Sequence, residues 1–116
     1  MKSIYSLLVS AVLVVCAVAP ASAHQRYIIE REIPGASKMS AEQLREASRA
    51  SNAVLKEMGT DIQWVQSYVA GDKIYCVYNA ASEALIREHA RKSGFPANRI
   101  TLVAAVFDPT TATAAK

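Results

Sequence analysis

Between Arg26 and Ile33 the chain alternates with period two: Tyr27, Ile29, Arg31 and Ile33 fall on one face, Ile28, Glu30 and Glu32 on the other, and Pro34-Gly35 ends the run. The pattern predicts a strand. At Ser40 the period changes. Ser40 followed by Gln43 has the form of a capping box, and Leu44, Ala47, Ser51, Val54, Leu55 and Met58 then recur at helical spacing. Glu42, Arg45, Glu46, Arg49 and Lys56 face water, and Gly59 is expected as a left-handed cap. A second strand over Ile62 to Val69 joins a third over Lys73 to Asn79 through the turn Ala70-Gly71-Asp72. Ser82 caps a second helix to Ser93, supported by the pairs Glu83–Arg87 and Glu88–Lys92 and closed by Gly94 before Phe95-Pro96. Ile100 to Phe107 reads as the last strand.

The order βαββαβ is that of a ferredoxin-like α+β domain, with two helices on one face of an antiparallel sheet. A sheet covered on one side alternates apolar with polar. The last two strands are instead apolar on both faces: Ile74, Cys76 and Tyr78 alternate with Tyr75 and Val77, and Ile100, Leu102, Ala104 and Val106 with Val103, Ala105 and Phe107. A second subunit packed on the free face would bury that surface, so a homodimer is expected.

Ahead of the first strand, Lys2, an apolar run from Leu7 to Val18, Pro20 and Ala21-Ser22-Ala23 follow the charged, apolar, small-residue order of a secretory signal. The run is short of the roughly 20 apolar residues of a membrane anchor. Lipidation at Cys16 would require a small residue where Val15 stands. The chain thus divides into a signal peptide over 1–23, a ferredoxin-like domain over 24–108 and a disordered tail over 109–116. The product is periplasmic or secreted and, once cleaved, free of the membrane. Cleavage removes Lys2 and no acid, lowering the net charge from +3 to +2, too little to point to nucleic acid. Cys76 is then the sole cysteine and has no disulfide partner within the chain; in its apolar run it reads as a small buried hydrophobe.

Strong catalytic motifs are absent: no paired-Cys zinc spacing, HExxH, phosphate-cradling glycine loop or GxSxG elbow occurs. The sequence favours a binding protein over an enzyme. His89 sits at the edge of the second helix's apolar face, either as a boundary histidine or, with Glu88, as a ligand for nickel, copper or zinc. His24, made terminal by cleavage, would carry an imidazole and a free amine able to chelate a divalent ion. Glu30 and Glu32 share a face, where charged residues at a solvated sheet edge, or pairs with Arg31 and Arg99, are a plainer account than a cation site or an acid–base pair. Trp64, Gln66, Tyr68, Tyr75 and Tyr78 would line either a small pocket or the core and dimer interface.

The segments Tyr27 to Gly35, Asp61 to Val65, Ser67 to Val69, Lys73 to Tyr78, Ile86 to Arg91 and Gly94 to Ala97 together resemble a bacterial family of small domains described as nickel-binding-protein-like. The resemblance covers nearly all of 27–111 and implies a ferredoxin-like homodimer that binds nickel or another divalent transition metal at its surface, for sequestration or detoxification. It carries over Glu88 and His89 as metal ligands. The export signal departs from the family's cytosolic-looking members and moves such a role to the cell envelope. The competing expectation is a small-molecule-binding or oxygenase-like enzyme of the dimeric α/β-barrel type, with its pocket around Trp64, Tyr68 and Tyr75.

Overall fold

The computed structural model describes residues 24–115 together with Ala11, Val12 and Val14. The expected signal peptide over 1–23 lies, apart from those three positions, outside the described residues. The main elements are β1 (Gln25–Glu32), α1 (Ala41–Met58), β2 (Ile62–Ala70), β3 (Lys73–Ala80), α2 (Glu83–Ser93) and β4 (Arg99–Leu102), in the predicted βαββαβ order. The strands form one antiparallel sheet in the order β2-β3-β1-β4, a ferredoxin-like arrangement. Among the described residues no helix is long and apolar enough to cross a membrane.

Local chemistry explains where the elements begin and end. Ser40 Oγ accepts the Gln43 backbone N–H at 3.1 Å while Gln43 Oε1 accepts that of Ser40 at 2.8 Å, so two otherwise orphaned donors at the start of α1 are satisfied. Gly94 ends α2 in the left-handed conformation. Gly59, expected to do the same for α1, has φ 87° and ψ −159°, a region open essentially to glycine alone. The hairpin tip is docked rather than free: Asp72 Oδ1 accepts the Gly35 N–H at 2.9 Å, and the carbonyls of Gly71 and Asp72 accept from Ser37 and Ile33.

The core lies between the helices and one face of the sheet, where Tyr27, Ile29, Ile62, Cys76, Tyr78, Ala80 and Ile86 are buried and Leu55, Met58 and Leu85 pack against them. Two expectations need correction. The last strand stops at Leu102 instead of Phe107. Antiparallel pairing sets Leu102 opposite Tyr27, and β1 starts only two residues before that, so the ladder runs out after Val103 donates to the Arg26 carbonyl. Beyond it, a short 3₁₀ turn runs over Pro109–Thr113, capped by Asp108 and burying none of its residues.

The second correction concerns the aromatic residues. Trp64 and Tyr68 are four apart and would share a face in a regular strand, but a bulge between Trp64 and Gln66 inserts one residue and inverts the alternation. Trp64 pairs with Tyr78 on the helix side, whereas Tyr68 pairs with Tyr75 on the open face. There the exposed Ile28, Val65 and Tyr68 and the half-buried Val77 border a shallow depression with Val103 and Phe107 of the segment after β4.

Candidate functional site

Of the 18 residues of α1 only Ser51 is buried, because the first half of the helix stands off the sheet. Beneath it lies a cavity of about 260 Å³, roofed by Met39, Leu44, Ala47 and Ser51 and floored by residues of β1, β2 and β3. The inward stripe of α1 thus divides: Leu44, Ala47 and Ser51 face the cavity, while Leu55 and Met58 pack on the core. The bulge in β2 supplies Trp64, Ser67 and Val69 to the same wall.

Alternation along β1 puts Arg31 on the helix side after Tyr27 and Ile29, and its side chain is 2% exposed at the cavity wall. Nη1 donates to the Pro96 carbonyl at 2.7 Å, Nε donates to Cys76 Sγ at 3.3 Å, and the guanidinium carbon stands 5.7 Å from the centre of the Phe95 ring. Nη2 has no hydrogen-bond partner. Of the two accounts of Glu30 and Glu32, pairing with Arg31 is not formed, because the two acids point to the opposite face; Glu30 pairs with Lys73 at 3.5 Å. Among the described residues Arg31 makes no ion pair with a carboxylate. A buried charge normally has one, since desolvating an ion costs several kcal/mol.

Cys76 is buried as expected, but its sulfur is a polar contact point. Besides Arg31, Ser67 Oγ donates to it at 3.0 Å, and Trp64 Nε1 donates to Ser67 Oγ at 2.9 Å. On the far side of the cavity, Ser51 Oγ lies 3.1 Å from His89 Nε2 and 3.5 Å from the Tyr78 hydroxyl. Burial raises the Tyr78 pKa above the usual phenol value. His89 is pushed down to about 4, chiefly by burial and secondarily by the Arg31 charge, against the opposing hydrogen bond from Ser51. At neutral pH the imidazole is therefore uncharged.

His89 is 0% exposed, enclosed by Ser51 and the tilted Tyr78 ring, with Nδ1 unpartnered. Glu88, its expected co-ligand, is part-exposed and pairs with Lys92 at 3.6 Å, so the structure does not bring the two together. Among the described residues no group of three or more His, Cys, Asp or Glu stands ready for a metal. One accessible pair of donor residues does exist: His24 Nε2 lies 3.8 Å from Asp61 Oδ1, both side chains reaching solvent. Arg31, Ser51 and Ser67 were not singled out from sequence as site residues. Arg31 and Ser51 were nonetheless legible as polar residues at inward positions of an apolar pattern; Ser67 joins them only through the bulge.

Comparison with known proteins agrees with this architecture. The crystal structure of SCO4226 from Streptomyces coelicolor A3(2) matches with a TM-score of 0.59 at 22% identity, over 71% of this chain and 99% of that one, a likeness that shows a shared fold. No curated protein matches the chain. A family model described as nickel responsive protein SCO4226-like matches residues 27–103, every strand and helix of the sheet-and-helix domain but the first two residues of β1. The chain therefore belongs to the SCO4226-like family of nickel responsive proteins.

Proposed function

We propose that this is an exported protein that binds nickel or a similar divalent ion in the cell envelope, for sequestration or detoxification, and works as a homodimer through the open face of its sheet. The observation that carries the metal reading is the family match over 27–103 and the nickel response in the family's description. Removal of 1–23 would give His24 a free amine beside its imidazole. Chelation by the amine and Nδ1 leaves Nε2 turned to Asp61, and a carboxylate at the second nitrogen is the usual means of orienting a metal-bound histidine. This accessible position suits a surface ligand better than His89, whose Nε2 is engaged by Ser51 in the core.

The test is calorimetric titration of the protein beginning at His24 with nickel, zinc and copper. Nickel should bind with defined stoichiometry. One extra residue before His24 should abolish tight binding, Asp61→Asn should weaken it roughly ten- to a hundredfold, and His89→Ala should leave the affinity of the folded protein unchanged. Loss in His89→Ala alone would return the site to His89 and Glu88. No nickel binding at all would overturn the metal reading.

A further inference from the structure

Among the described residues, the buried Arg31 is the one formal charge lining the cavity, and no carboxylate lines it. Its fixed partners, a carbonyl, a sulfur and an aromatic face, each satisfy a donor or stabilise the cation without neutralising it, and Nη2 remains without a partner. His89 nearby is neutral at physiological pH and adds no counter-charge. The remaining walls, including Ile33, Leu44, Val69 and Ile74, are apolar. Leu44 and Val69 are each 38% exposed, which places the mouth between α1 and the edge strand β2. The cavity volume is about 260 Å³, close to the lower end of the range of small-molecule pockets.

We propose that this cavity is a binding site for a small amphipathic monoanion, an apolar body of about this size carrying one carboxylate that pairs with the Arg31 guanidinium. A planar guanidinium with a free nitrogen suits a carboxylate. The apolar walls supply the hydrophobic contact, and the Ser51 and Ser67 hydroxyls lie on the same lining. The site is independent of the metal reading, since none of its residues is a proposed metal ligand. Trp64, the only tryptophan in the chain, lines the cavity and reports on occupancy.

The experiment is titration of the EDTA-treated protein from His24 with octanoate and benzoate, and with octan-1-ol and benzyl alcohol as neutral counterparts, followed by Trp64 fluorescence. Saturable binding of at least one acid, ten- or more-fold tighter than its alcohol, is expected. Arg31→Met should remove that preference, weakening the acid roughly ten- to a hundredfold, the loss of a charge-assisted hydrogen bond. Ala47→Phe, which keeps Arg31 and fills the cavity from the roof, should abolish binding of acid and alcohol alike; circular dichroism establishes that each variant is folded. No saturable response to either acid would overturn the proposal. Equal affinity for acid and alcohol, or acid binding undiminished in Ala47→Phe, would overturn it as well.

Discussion

At the scale of single residues, His89 and Ser51 show how a polar pair is held in an apolar interior. Ser51 Oγ partners Nε2 of the neutral imidazole while Nδ1 stays unpartnered, and the same hydroxyl lies against Tyr78. Protonation would place a cation in a buried site beside Arg31, which is why the His89 pKa falls to about 4 from an ordinary 6.5. In the unfolded chain the ring protonates near 6.5, so the unfolded state gains protons first as pH drops. The stability this group contributes is complete above about pH 6.5 and is lost progressively as pH falls towards 4, on the order of 3 kcal/mol in all. Urea unfolding between pH 7 and 4 should show this slope. In His89→Gln, which cannot take up a proton, the part of the slope due to this group should vanish; an unchanged slope would assign it to the carboxylates.

At the scale of elements, α1 depends on its ends more than most helices, because it buries so little. Only Ser51 is enclosed, and Leu44 remains 38% exposed over the cavity mouth. The capping box at Ser40 and Gln43 therefore carries weight that packing carries elsewhere. Ser40→Ala should destabilise the protein by about 1 kcal/mol. Hydrogen exchange should localise the effect to 41–50, the half of α1 over the cavity, before the half that packs through Leu55 and Met58. Uniform loss of protection along the chain would mean that α1 does not open separately. The bulge in β2 acts at the same scale: one inserted residue sends Trp64 and Ser67 to the cavity and Tyr68 to the open face.

At the scale of the whole molecule, the open sheet face is the surface on which the proposed dimer rests. Ile28, Val65 and Tyr68 are exposed on it, and the segment 103–107, which leaves the ladder where β1 runs out of partners, brings Val103 and Phe107 beside them. A single domain of this size gains from covering such a surface with a second copy. Light scattering of the protein from His24 should give twice the monomer mass. Ile28→Glu, a change at an exposed position that leaves the helix-side core untouched, should shift the mass to that of the monomer while circular dichroism stays native. A monomeric parent protein would remove the dimer from the proposed function. Export is tested on the full chain: expressed from Met1, the protein recovered from the envelope or medium should have an intact mass that lacks 1–23.

The order of elements, the capping box, the two helix-closing glycines and the membership of the family were all legible in the sequence, because each rests on local periodicity, on side chains three residues apart or on short segments read together. The inward position of Arg31 was legible as well, since alternation along one strand is a local property. Its consequence was not. Whether an inward arginine meets a carboxylate or a carbonyl depends on Pro96 and Phe95, more than sixty residues away, and only the tertiary structure joins them. His89 shows the same limit: its helix position marked a boundary, and the closing of α1 over it through Ser51 made it core. The face to which Tyr68 turns was decided by a bulge that no residue in β2 announces, because a bulge is a relation between two strands. Local sequence determined which elements form and which residues each turns inward. What those residues meet was decided by packing, because the cost of a buried charge or an unpaired donor depends on neighbours that lie distant along the chain.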